Sequence, residues 1–311
     1  MLSNSNRPPR HYCEVYHARH STMEMDFAVK CYWRERLNPH EVSQVKSEIS
    51  LHSSVYHPAI TSFYGSFEDH RGNVYLVLEY AKNGDAFDVL YSEAYAAVVA
   101  APSAPRGILC ETDICRRIIA PLTSAVAYLH ARCVVHRDIK PENVLMSDDG
   151  LQCKLTDFGF AIDTNVCLAT SRMGTFGYMA PEVMMCDRNK RLALRVTGEA
   201  GYGKEVDCWA IGILAYECIM GRLPHMATIP MDEMVAWGVH RGMNIDLPDL
   251  LDVSSHAKHF VSSCLREDPK LRLTAEQMLS HPWITKHANN AATGEQESSL
   301  TPVANHQVGP L

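Results

Sequence analysis

Short β-rich apolar runs occupy the first part of this chain, and helical repeats occupy most of the rest. The run "VYLVLEY", Val74 to Tyr80, follows the turn-prone "EDHRGN" and predicts a buried strand. "DFAVK", ending at Lys30, predicts a second strand. Between them stands Asn38, followed by Pro39 and then Glu41. This is the pattern of a capped helix start: an N-cap side chain, a proline at the first helical position and a glutamate three residues after the cap. Val42, Val45, Ile49 and His52 then recur at helical spacing.

Farther on, Ile114, Ile118, Leu122, Ala125 and Leu129 share one side of a helix predicted from Ile114 to His130, with Pro121 inside it as a source of a kink or a late start. "DCWAIGILAYECIMG" is apolar nearly all round and stops at a glycine, as a helix buried at the centre of a helical lobe would. From Ser92 to Gly107, "SEAYAAVVAAPSAPRG" keeps no period and breaks at prolines, which predicts a surface insertion. From about Ala288 the chain is too polar to build a core of its own. A small strand-rich half followed by a larger helical half implies an α+β, two-lobed architecture.

Composition narrows the partners. With 29 Lys and Arg against 36 Asp and Glu, the chain lacks the basic field that drives non-specific nucleic-acid binding. Its 11 cysteines form no C-x-x-C pair and no zinc-type Cys/His cluster, so they read as reduced core residues of an intracellular protein. No run reaches the roughly 20 apolar residues that span a bilayer, and the N-terminus has no signal-peptide core. A cytoplasmic or nuclear protein, bound to neither nucleic acid nor membrane and acting as a monomer, is expected.

The chemistry concentrates in "HRDIKPENVLMSDDGLQCKLTDFG", His136 to Gly159. Phosphoryl transfer needs metals on the phosphates, a cation on their oxygens and an oriented hydroxyl. Asp157 is a carboxylate at the end of an apolar strand, suited to Mg²⁺, which prefers hard oxygen ligands. Asp138 can accept a hydroxyl proton, Lys140 can neutralise a transferring phosphoryl group and Asn143 offers an oxygen to a second metal. Asp149-Gly150 supplies a hairpin turn between the two motifs.

These motifs, with "FAVK", "GTFGYMAPE" and "DCWAIG" in order, resemble the eukaryotic protein kinase domain from about Cys13 to Trp283, in its serine/threonine branch, with Aurora-like and calmodulin-dependent-kinase-like features. The resemblance implies an N-lobe of about 13–80 with an antiparallel sheet whose first strand is short or missing. It also implies a helical C-lobe of about 81–283 with an insertion at about 92–107, an incomplete N-terminal segment (1–12) and a disordered tail (284–311). It implies ATP and Mg²⁺ as cofactors. Lys30 corresponds to the lysine on the α- and β-phosphates and Glu48 to its helix partner, with Glu41 as an alternative. Glu79, Tyr80 and Ala81 form the hinge whose backbone meets adenine, Leu78 stands behind it, and Val15, Ala28 and Leu145 sandwich the base. By the same resemblance, Glu182 should pair with Arg272, and Asp207 should anchor the loop bearing His136 and Arg137.

One part of the pattern is missing. Aligning Val15 with the valine that closes the glycine-rich phosphate loop puts Pro8, Arg10 and Cys13 where its three glycines belong, and Pro8 and Pro9 have no N–H to offer a phosphate. Either the sequence begins late within an active kinase, or the protein is a pseudokinase serving as a scaffold or allosteric partner. The intact charged set favours the active enzyme. Lys140, Thr175 and Phe160 imply serine, or threonine, acceptors in protein substrates. Asp85 and Glu142 lie where relatives receive a basic residue upstream of the acceptor, although Asp85 fits a ribose contact equally. Ser171, or its neighbour Thr170, has the spacing of a regulatory phosphosite that would pair with Arg137.

Overall fold

The computed structural model describes residues 3–4, 13–22, 24–90, 110–147, 150, 152–184, 186, 201–224 and 253–289. The 92–107 insertion, Asp149, Pro8, Arg10 and the chain beyond 289 lie outside these residues.

The N-lobe is a five-stranded antiparallel sheet in the order β1-β2-β3-β5-β4. β1 is the two-residue strand Ser3–Asn4, short as expected, and it pairs with Tyr16 and His17 of β2 (Cys13–Arg19). β3 (Asp26–Tyr32) lies at the centre, with Lys30 opposite Val15 on one side and Leu76 of β5 (Val74–Glu79) on the other. β4 (Phe63–Glu68) closes the far edge. Helix α1, Pro39–Ser54, begins in the capping box read from the sequence: Asn38 Oδ1 accepts from the His40 and Glu41 amides, and Glu41 accepts from the Asn38 amide at 2.8 Å. Val45, Leu76, Leu78 and Tyr32 bury the inner face of the sheet against α1.

The C-lobe core is larger. The helical face read from the sequence, Ile114, Ile118, Leu122, Ala125 and Leu129, is buried throughout. Burial of each large aliphatic side chain there contributes roughly 1.5–3 kcal/mol. Pro121 stands in the first turn of an α-helix that starts at Ala120, the late start that the sequence predicts. A π-helical stretch, Ile114–Ile119, precedes the α-helix Ala120–Ala131, and the wider turn accommodates a ring that has no N–H to donate. The helix Glu205–Met220 runs through the centre and ends at Gly221, which adopts a left-handed conformation.

The expected tail start at 284 is too early. Pro282–Asn289 is a helix, with Trp283 fully buried and Ile284 nearly so, because these two apolar residues complete the lobe's base against Phe260. Two short antiparallel strand pairs lie at the lobe junction beside the charged residues. β6 (Val134–Val135) pairs with β9 (Ile162–Asp163), and β7 (Val144–Met146) pairs with β8 (Cys153–Leu155). The turn between β7 and β8 includes Gly150 at φ 66°.

Candidate active site

β3 and α1 bring the first charged group together. Lys30 Nζ lies 2.6 Å from Glu48 Oε1 and 2.9 Å from Asp157 Oδ1, all within a largely buried junction. Burial alone works against the ammonium, but the carboxylates of Asp157 and Glu48 outweigh it and hold the Lys30 pKa well above the ordinary lysine value. Glu48, not Glu41, is therefore the partner, since Glu41 is engaged in the helix cap. The second Glu48 oxygen accepts from the hydroxyl of Tyr32, a buried residue that the sequence reading did not single out.

β8 delivers Asp157 into a left-handed conformation, φ 65° and ψ 79°, where an aspartate is tolerated because its short side chain bonds locally. Here its carboxylate accepts from the Gly159 amide at 3.2 Å. Phe158 turns inward between His52 of α1, stacked at 4.4 Å, and His136, edge-on at 5.2 Å. His136 and Arg137 are fixed from below. The buried Asp207 carboxylate accepts their amides at 2.9 and 2.8 Å and the His130 ring at 2.9 Å. Burial raises the pKa of this group, but those donors pull it below the usual aspartate value, so it stays ionised.

The second charged group forms on the following turn. Asp138 Oδ2 accepts from Asn143 Nδ2 at 2.9 Å and pairs with Lys140 Nζ at 3.1 Å, while Oδ1 accepts from the Thr175 hydroxyl at 2.7 Å. Lys140 also donates to Thr175 Oγ1 at 2.7 Å. Both Asn143 amide hydrogens point at Asp138, to its carbonyl and its carboxylate, which leaves the amide oxygen as a hard ligand. The Thr156 amide donates to the Asn143 carbonyl at 2.9 Å, so β7 and β8 set Asn143 beside Asp157. Among the described residues no cluster of three His, Cys, Asp or Glu side chains could hold a metal. One carboxylate and one amide oxygen fit Mg²⁺, which fills its remaining positions with water and phosphate oxygens.

The residues expected to hold the nucleotide line the junction less tightly. Ala28 is half-buried on β3, and Val15 on β2 is 43% exposed. Leu145 pairs by a single bridge with Asp85, which places it beside the hinge. The Glu79 carboxylate is turned to Lys154 at 2.5 Å and to the Ser62 amide and hydroxyl at 3.0 Å, and its amide donates to the Ser62 carbonyl at 2.9 Å, so its side chain and N–H are both engaged away from a base. The Tyr80 ring stacks on His17 at 4.1 Å, and His17 is bonded to Asp26 at 2.9 Å. Asp85 is fully buried and caps the next helix by accepting from the Asp88 amide at 2.9 Å, so it reaches neither ribose nor a substrate side chain. Arg272 holds Glu182 with a two-pronged pair at 2.7 and 3.1 Å.

Arg137, expected to meet a phosphate at Ser171, is already engaged. Its Nε donates to the Phe160 carbonyl at 2.6 Å, and a terminal nitrogen donates to the Tyr202 hydroxyl at 3.1 Å. Ser171 and Thr170 are half-buried nearby, and Ser171 joins this group through its main-chain carbonyl.

An antiparallel sheet over a helical lobe, with a lysine–carboxylate set facing an Asp-Asn-Lys set across the junction, defines a two-lobed phosphotransferase architecture. The chain belongs to the protein kinase domain family, whose sequence model matches residues 11–284. It is 33% identical over 293 residues to the human phosphorylase b kinase gamma catalytic chain, liver/testis isoform, covering 91% of this chain and 64% of that one. It is 30% identical over 292 residues to the Aurora kinase of Schizosaccharomyces pombe (92% and 71%). To the mouse serine/threonine-protein kinase DCLK3 it is 31% identical over 296 residues (92% and 33%). The chain thus spans just under two thirds of the phosphorylase kinase subunit it matches. These relatives agree with the serine/threonine branch that the motifs resemble.

Proposed function

We propose that this chain is an ATP-dependent serine/threonine protein kinase, transferring the γ-phosphoryl group of Mg-ATP to a hydroxyl of a protein. The observation that supports it most is the simultaneous assembly of both charged sets, Lys30–Glu48–Asp157 and Asp138–Asn143–Lys140–Thr175, across one cleft. Lys30 is positioned to hold phosphate oxygens, and Val15, Ala28, Leu145 and the Glu79–Ala81 backbone to hold the base. Asp157 and Asn143 would hold Mg²⁺, which when bound neutralises charge on the phosphates. Asp138, fixed by three donors, takes the proton of the acceptor hydroxyl. The acceptor oxygen bonds to the γ-phosphorus as the bond from that phosphorus to the bridging oxygen breaks, and ADP leaves with the electron pair. Lys140 faces the charge that develops.

Glu142 supports a preference for a basic residue before the acceptor. It is half-buried on the turn Pro141–Asn143 that follows Asp138, so its carboxylate stands close to where the acceptor would bind. The eleven thiols, none of them in a disulfide, fit a reducing compartment, the cytoplasm or nucleus.

Transfer of labelled phosphate from ATP to serine peptides tests the reading. Asp157→Ala is expected to abolish Mg²⁺-dependent nucleotide binding, and Asp138→Asn to keep binding while losing turnover by about 10²–10⁴. Parent-rate transfer by Asp138→Asn would remove that residue's role. A second reading, a scaffold, is favoured by one observation: a buried cysteine, Cys13, stands where the phosphate loop needs its third glycine. It expects no transfer from any form.

A further inference from the structure

We infer that Tyr202 is a positioning residue that docks the activation segment on Arg137 without a phosphate, so that catalysis does not depend on phosphorylation of that segment. The inference rests on the kinase reading above. The Tyr202 hydroxyl accepts from Arg137 at 3.1 Å and donates to the Ser171 carbonyl at 2.7 Å, joining the arginine of the catalytic loop to the middle of the segment. It thus gives Arg137 a neutral hydroxyl as its link to the stretch that carries Ser171. Tyr202 is buried, and burial raises its pKa, so the hydroxyl keeps the proton it donates.

The segment is held on both sides of Ser171 by the backbone. The Tyr202 amide donates to the Ala169 carbonyl at 3.0 Å, and a side chain at the preceding Gly201 would stand 2.4 Å from that carbonyl oxygen. On the other side Gly174, at φ 110°, lies so close to the catalytic loop that a Cβ would stand 2.5 Å from the Arg137 carbonyl oxygen. The next residue is Thr175, whose hydroxyl bonds Asp138 and Lys140. Tyr202 therefore stabilises the same docked segment that aligns the general base. A phosphate adds most where an arginine has no other hold on the segment, and here two of the Arg137 N–H donors already meet Phe160 and Tyr202.

The test uses the full chain, treated with phosphatase and compared with Tyr202→Phe and Ser171→Ala. Phosphatase treatment and Ser171→Ala are expected to leave kcat within about twofold, since neither removes the hydroxyl bridge. Tyr202→Phe is expected to lower kcat about tenfold, the scale of one hydrogen bond to a charged group, with KM for ATP unchanged. Ser171→Glu in the Tyr202→Phe background restores part of kcat by giving Arg137 a new partner. A readout independent of catalysis is tryptic cleavage after the exposed Arg172, which rises in Tyr202→Phe and stays slow in the dephosphorylated parent. Parent activity that vanishes with phosphatase, or an equal kcat and cleavage rate in Tyr202→Phe, overturns the inference. If the parent transfers no phosphate at all, the kinase reading fails, and the cleavage comparison still decides the role of Tyr202.

Discussion

Replacing Tyr32 by Phe tests whether the lysine–glutamate pair is held from behind. Tyr32 ends the central strand, is 3% exposed, and donates its hydroxyl to the Glu48 oxygen that Lys30 does not take. Burial raises its pKa well above the usual tyrosine value, so it remains a donor across the working range. Phe keeps the ring and its packing and removes one oxygen, leaving a buried carboxylate oxygen without its donor. A hydrogen bond to a charged group is worth about 1.5–3 kcal/mol, and the orphaned partner accounts for much of that. At about 2 kcal/mol, a domain of this size should melt roughly 3–4 °C lower. Any part of that energy that favours the paired arrangement over one with α1 displaced appears in kcat/KM, at about tenfold per 1.4 kcal/mol. The assay is a thermal melt with steady-state kinetics, in a double-mutant cycle with Glu48→Gln. Tyr75→Phe, whose hydroxyl meets Asp69 on a surface turn, serves as the control and should change stability by less than about 0.5 kcal/mol. A Tyr32→Phe protein that melts within about 1 °C of the parent with unchanged kcat/KM refutes the support role.

Acid should loosen the lobe junction. Burial lowers the His52 pKa from 6.5 to about 4, so the contribution of the neutral ring is complete above pH 6.5 and is lost as pH falls towards 4, by roughly 3 kcal/mol at most. His281, also held near 4 by burial and by His259, acts in the same direction. His52→Leu should therefore remove part, not all, of the stability difference between about pH 7.5 and pH 5 measured by urea unfolding, and an unchanged difference would count against the assignment. Gly174→Ala should lower kcat at least about tenfold while nucleotide affinity holds, because both the φ of 110° and the approach to Arg137 exclude a side chain; parent turnover would show that the segment docks differently.

Features written in neighbouring residues were the easiest to read from the sequence. Asn38, Pro39 and Glu41 announce a capping box because all its bonds close within four positions, and the glycine after Met220 announces its helix end for the same reason. The charged set was legible through family spacing, and its geometry agrees at Lys30–Glu48, Asp138–Asn143 and Glu182–Arg272. Tyr32 and Tyr202 were not legible. Each is a single tyrosine on an ordinary apolar background, and their partners lie 16 and 65 residues away, so no local period marks them. Asp85 misled because a carboxylate just past the hinge is equally a helix cap, and only the fold shows that it turns inward. The last helix was cut short at 283 because Lys286, His287 and the polar residues after them dilute the signal of Trp283 and Ile284.

His52 explains how the two lobes share one geometry. Phe63, His52, Phe158 and His136 form a continuous chain of ring contacts, tilted, stacked and edge-on in turn, from the β4 edge of the sheet, through α1, to the loop bearing Asp138. A leucine at 52 would also pack in that chain, without leaving Nδ1 buried and unpartnered as the histidine does. What the imidazole adds is a second, polar chain beside the apolar one. Its Nε2 donates to the Thr61 carbonyl at 2.8 Å, and the Thr61 hydroxyl donates to the Leu155 carbonyl and is hydrogen-bonded to the Thr156 hydroxyl. The Thr156 carbonyl then accepts from His136 at 3.0 Å. Both chains pass the residues on either side of Asp157. A shift of α1 that carried Glu48 away from Lys30 would therefore break a ring contact and a hydrogen bond together, so the pairing on β3 and the alignment of Asp157 are gained or lost as one.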